Sequence, residues 1–243
     1  MAEQWIYGVH AVQAILNNPL RKIYYLYISD NRQDERIQQI ERLAKQRTIE
    51  IRNLQSLGKK FADKVHQGVI AQVEALADFE EGDIPWLLDK AKSQPFILIL
   101  DGVTDVHNLG ACLRSADGAG VDFVILLKDK SAPVNDVVSK VACGAAESVP
   151  IVRVVNLART LRKLKEAGVW IYGAAGETLQ TLYQLDCQRP LALVMGAEDK
   201  GLRRLTREHC DALFSIPMRG VVESLNVSVA AGISLFEVNR QRL

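Results

Sequence analysis

The 243-residue chain has no apolar run approaching the ~20 residues that a membrane-spanning helix needs, so no membrane association is expected. The start, MAEQWIYGVHA, lacks a basic stretch followed by an apolar core, so no secretory leader is expected either. Cys112, Cys143, Cys187 and Cys210 lie far apart with no CxxC spacing, which suits reduced core thiols of a cytoplasmic protein rather than a disulfide framework. Four scattered histidines offer no metal-ligand spacing, and no metal site is expected. There is no P-loop. A dinucleotide fingerprint is missing as well, because Gly118 and Gly120 close a helical pattern instead of opening one. These absences disfavour nucleoside-triphosphate hydrolysis and nicotinamide redox chemistry. Neither internal repeats nor low-complexity tracts occur, and charge is nearly balanced at +1.

What is present is a change of pattern near residue 95. Before it, Val9–Leu16 and Asp34–Gln46 suit helices, the second repeating Ile37, Ile40, Leu43 and Ala44 at three and four. Ile23–Ile28, Ile49–Ile51 and Val69–Val73 read as strands. Residues 1–76 thus form a small α/β module near the lower size for an independent core. The module carries eleven basic residues against eight acidic ones, including a basic bend at Lys59–Lys64. That surplus is compatible with RNA contact and equally with an ordinary surface. Residues 77–94 read as an acidic linker, docked on a neighbour by Trp86, Leu87 and Leu88.

Across 95–243, apolar strands at Phe96–Leu100, Val121–Leu127, Val169–Ala174 and Leu191–Met195 alternate with helices at Leu109–Ala119, Val134–Ala142, Leu157–Ala167 and Leu202–Glu208. The alternation predicts an α/β domain whose mainly parallel sheet is covered on both faces. Ligands of such sheets lie beyond the carboxyl ends of the strands, and three stretches stand there. After Phe96–Leu100 comes DGVTDVHNLG, where Asn108 is a candidate cap for the following helix. Arg114 lies four residues after Gly110, and the missing side chain there would let the guanidinium lie back toward the strand ends, where an anion would sit. After Leu191–Met195 comes GAEDKG, two glycines around an acidic turn, suited to close backbone approach to a flat ligand. The third stretch, Leu213–Phe236, reads as strand, loop and helix. Ser224 and Asn226 are N-cap types, and Ser228, Ala231 and Gly232 share one helix face.

NLGACLR, MGAEDKG and IPMRGVVESLNVSVAAGISLFE, in that order and spacing, resemble the three motifs of the TrmH family of SPOUT-class RNA ribose 2′-O-methyltransferases. From IYGVHAV through HQGVIAQV to the C-terminus, the chain closely resembles the branch that methylates a guanosine in the P-site loop of 23S ribosomal RNA. The resemblance implies a SPOUT-type parallel sheet with a deep C-terminal trefoil knot, a preceding RNA-binding module, and a cytoplasmic homodimer. Its implied partner is 23S ribosomal RNA or the assembling large subunit. It also implies S-adenosyl-L-methionine as cofactor, with Gly196, Ile216 and Leu225 surrounding it through their backbone. Asn108, Arg114, Glu198, Ser224 and Asn226 match the family's active-site positions. A relative acting on transfer RNA and a catalytically inactive RNA-binding protein are the competing readings.

Overall fold

Residues 3–18, 21–30, 32, 34–74, 79–91, 94–197 and 200–243 are described by the computed structural model. The chain divides into two units, Met1–Ala77 with Cys143–Ser148, and Asp78–Ala142 with Val149–Leu243.

The first unit runs β1 (Glu3–Tyr7), α1 (Val9–Asn17), β2 (Ile23–Ile28), α2 (Glu35–Gln46), β3 (Glu50–Asn53) and β4 (Val69–Glu74). The sheet order is β1-β4-β2-β3, antiparallel except for β2 with β3. Strand β1 is absent from the sequence-based expectation. Five residues beside a helix carry too little alternation to announce a strand, and it exists because it pairs with β4 across the unit. Helix α2 starts as its sequence dictates, with Asp34 accepting a hydrogen bond from the Ile37 N–H at 3.3 Å. Leu26, Ile28, Ala71 and Val73 on the sheet bury against Val12, Ile15, Ile37 and Ile40 on the helices.

The second unit runs β5 (Phe79–Glu80), α3 (Ile84–Lys90), β6 (Phe96–Asp101), α4 (Val106–Gly118), β7 (Phe123–Leu127) and α5 (Asp136–Val141). After α6 (Ala145–Ser148), which belongs to the first unit, it continues through β8 (Ile151–Val154), α7 (Leu157–Glu166), β9 (Trp170–Ala174), β10 (Leu191–Gly196), α8 (Arg204–Glu208), β11 (Ala212–Phe214) and α9 (Val227–Arg242). Seven strands lie in the order β11-β9-β10-β6-β7-β8-β5, and every pairing is parallel. The expected parallel α/β sheet is present. Its central strands β6, β7 and β10 are buried on both faces, which is why they read as unbroken apolar runs. Within the stretch read as a linker, β5 adds an edge strand beside β8 and Leu87 buries into the core, while Trp86 remains 52% exposed.

The segment Cys143–Ser148 lies far in sequence from the rest of the first unit yet is held inside it. A Cβ at Gly144 would come within 2.5 Å of the Ala14 Cβ, so only glycine lets this backbone approach α1. Asn18 donates to the Glu147 carbonyl at 3.0 Å. The Arg21 guanidinium and the Glu147 carboxylate face each other with side chains 3% and 2% exposed. Nε and Oε2 are 3.0 Å apart, a buried ion pair. Burial pushes the Glu147 carboxyl up and the Arg21 guanidinium down, each opposed by its partner's charge. Glu147→Leu leaves the guanidinium buried without its counter-charge and is expected to destabilise the chain by ~3–5 kcal/mol in urea unfolding. Arg21→Met added to Glu147→Leu is expected to restore part of that loss; a double variant as unstable as the sum of the singles would contradict the pairing.

Candidate active site

The carboxyl ends of β9, β10 and β11 and the approach to α9 enclose a cavity of about 160 Å³. Gly196, Ile216, Ser224 and Leu225, all singled out from the sequence, line it together. Gly196 ends β10 in register with Asp101 at the end of β6. A Cβ on Gly196 would stand 2.2 Å from the Gly201 carbonyl carbon and 2.5 Å from the Leu202 nitrogen. No side chain fits there, because the Gly201–Leu202 backbone lies directly over the end of β10. The Gly201 N–H closes that loop by donating to the Ala197 carbonyl at 2.8 Å. Gly201 has φ +59°, a conformation glycine adopts without strain.

Asn226 caps α9: its Oδ1 accepts from the Ser228 N–H at 2.9 Å and from the Ser228 hydroxyl at 2.6 Å. The other end of the same amide donates from Nδ2 to Asn108 Oδ1 at 2.9 Å. Two motifs 118 residues apart are thus joined side chain to side chain. The expected capping role of Asn108 is corrected. Asp105 caps α4, accepting from the Asn108 N–H at 2.8 Å, which places Asn108 inside the first turn with its amide turned to Asn226.

Arg114 is an exposed residue of α4. The route expected for it over Gly110 is also corrected. A Cβ at Gly110 would meet the Val141 Cβ at 2.7 Å and the Val138 carbonyl at 3.0 Å, so the glycine serves the packing of α5 against α4. Glu198 lies outside the described residues. The small-residue face of α9 turns to α4 of the same chain: Ala231 is fully buried, and a Cβ at Gly232 would come 3.5 Å from Ser115 Oγ.

Ala174 at the end of β9 and Ala175 and Gly176 directly after it also line the cavity, as do Met218 and Glu223. Sequence reasoning passed over the first three, although a run of small residues directly after a parallel strand was the available signal. The walls combine backbone, small side chains and the apolar Met195, Phe214, Ile216 and Leu225. That lining fits a flat heteroaromatic group whose edges meet backbone N–H and C=O, as the adenine of S-adenosyl-L-methionine would require.

Among the described residues, no cluster of three histidine, cysteine or acidic side chains is placed to hold a metal. No described helix is long and apolar enough to cross a membrane. Cys112 and Cys187 are buried, and burial pushes the Cys187 thiol up to about 11 and that of half-buried Cys210 to about 12. Cys143 departs from the expectation of core thiols and is exposed.

The SpoU rRNA Methylase family matches residues 95–236, and the family described as RNA 2′-O ribose methyltransferase substrate binding matches residues 5–79. The chain is 54% identical over 239 residues to the 23S rRNA (guanosine-2′-O-)-methyltransferase RlmB of Pectobacterium atrosepticum, covering 98% of both chains. It is 55% identical over 241 residues to RlmB of Escherichia coli K12, covering 98% of this chain and 99% of the relative. Among solved structures, the SpoU methyltransferase AviRb from Streptomyces viridochromogenes in complex with AdoMet superposes with a TM-score of 0.80 at 24% identity, covering 99% of this chain and 90% of the other. A TrmH-family structure from Porphyromonas gingivalis gives a TM-score of 0.75 at 26% identity, covering 98% of this chain and 90% of the other.

Proposed function

The chain belongs to the SpoU rRNA methylase family, also called TrmH, and from that premise we propose that it transfers the methyl of S-adenosyl-L-methionine to the ribose 2′-oxygen of a guanosine in 23S ribosomal RNA. The observation that carries this is the identity of 54–55% over 98% of the chain to two enzymes named for that reaction. A transfer-RNA substrate is disfavoured by the same alignments, which run through the 5–79 module. Mapping ribose methylation of 23S RNA with and without the protein tests the proposal. An unmodified guanosine in the presence of active, cofactor-bound protein would refute it.

The bound cofactor supplies an electrophilic methyl on a sulfonium. The chain must place the ribose hydroxyl and accommodate the departing proton. Arg114 is assigned as a clamp on the RNA phosphate that polarises the hydroxyl. Arginine as the base is the weaker choice, because a guanidinium keeps its proton in proteins and acts as a donor. Asn226 and Asn108 order the floor of the substrate site through their shared hydrogen bond. Ser224 on the cavity rim and Glu198 complete the assigned set, with Gly196, Ile216 and Leu225 holding the cofactor through their backbone. The first unit is assigned to RNA contact. Its sheet carries Arg52 over the Tyr25 ring at 3.4 Å, and Lys60 stands over the Trp5 ring at 4.0 Å. The deep trefoil knot, the cytoplasmic location and the homodimer belong to the same reading.

The dimer rests on α9, where Val229 and Phe236, seven residues apart, are 50% and 51% exposed. Apolar side chains at that spacing share one face. Phe236→Asp is expected to convert a sedimenting dimer into a monomer. A native protein that sediments as a monomer at micromolar concentration would rule the dimer out.

A further inference from the structure

The fold spends a buried charge at the end of β6, and no motif role accounts for it. Asp101 is the last residue of that strand and 1% exposed, with its side chain fully buried. Its Oδ1 accepts from Arg203 Nε at 2.6 Å and also pairs with Arg203 Nη2, while Oδ2 accepts from the Arg203 backbone N–H at 3.1 Å. One residue therefore supplies three donors to one carboxylate. Arg203 is the N-cap of α8, the helix that ends the loop after β10. Its guanidinium is 39% exposed, so only the carboxylate bears the full cost of leaving water.

The position of this pair gives it meaning. Asp101 stands beside Gly196 in the strand register. The loop between Gly196 and Arg203 contributes Gly196, Ala197 and Gly201 to the cavity wall. Its near end is held by the collapse of Gly201 and Leu202 onto Gly196. Its far end is held by Asp101. Gripping of this kind keeps the backbone groups of Gly196, Ala197 and Gly201 in place before a ligand arrives, which removes an ordering cost from binding.

We propose that Asp101 is a positioning residue for the cofactor loop, acting through Arg203, whose side-chain fork and backbone N–H it grips. The inference rests on the reading of the cavity as the S-adenosyl-L-methionine site. Arg203→Lys keeps the charge and loses the planar fork; Arg203→Gln and Asp101→Asn remove the charge pairing.

The test uses the full chain and three readouts: calorimetric affinity for S-adenosyl-L-methionine, single-turnover methylation at saturating cofactor, and hydrogen exchange of the peptide containing Gly201–Arg204. Charge-assisted hydrogen bonds of this kind set the expected scale. Arg203→Gln is expected to weaken cofactor affinity ~10–100-fold, to leave turnover at saturation within ~3-fold of native, and to speed exchange in the loop. Arg203→Lys is expected to recover less than half of the lost affinity on a logarithmic scale. Should Asp101→Asn fail to fold, the two Arg203 variants carry the test. Variants that melt earlier yet bind cofactor within ~2-fold of native would show a purely structural pair and overturn the proposal. If the native protein bound no S-adenosyl-L-methionine, the functional reading would fall, and loop exchange would decide the clamp by itself: unchanged exchange in Arg203→Gln would overturn it.

Discussion

Arg114→Ala is expected to lower single-turnover methylation by ~10²–10³, the typical cost of removing one donor that acts in the transition state. Cofactor affinity is expected to stay within ~2-fold of native. Arg114 is an exposed residue of α4, whereas the cavity is lined by residues of the loops after β9, β10 and β11 and by the start of α9. Arg114→Lys is expected to restore little, since an ammonium keeps the charge but lacks the two-donor plane that matches a phosphate. Pairing calorimetry of the cofactor with turnover of the RNA separates the two roles. An Arg114→Ala variant that loses cofactor binding but methylates normally at saturation would remove Arg114 from the RNA side.

Gly196→Ala is expected to abolish measurable cofactor binding, a loss of at least ~10²-fold, and to lower the melting temperature. The added carbon would sit 2.2 Å from backbone that has no rotamer to change, so the loop after β10 must move. Overpacking in well-filled sites costs ~1–3 kcal/mol in stability. Here the displaced atoms are also the cavity wall, so affinity falls with stability. Gly82→Ala is the control, because nothing lies within 4 Å of a Cβ there. Native-like affinity in Gly196→Ala would show that the loop tolerates displacement and would undo the packing argument.

Local chemistry carried much of this reading. Strand Ile23–Ile28 and the helix beginning at Leu157 follow from apolar periodicity with Asp or Asn at the helix start, and the structure has them at those positions. The three motif stretches were legible because each joins a strand end to glycine, asparagine or serine. Strands β1 and β8 were not: they are four or five residues long and owe their existence to partners elsewhere in the chain. Asn108 shows the limit within a motif. A local reading makes it a cap, but Asp105 three residues earlier has the better geometry, and the Asn108 amide is left to reach Asn226.

By itself the sequence determined the alternating elements, the parallel class of the main sheet and the membership of the three motifs, because each depends on spacing within a few turns or strands. Only the tertiary structure decided that Asn226 meets Asn108, that Asp101 grips Arg203, that Gly110 makes room for Val141, and that Cys143–Ser148 packs with a unit more than sixty residues earlier. These are long-range contacts between residues whose local patterns are silent about each other. A glycine's need for space and a carboxylate's need for a cation become visible only when the backbone brings the second atom within reach.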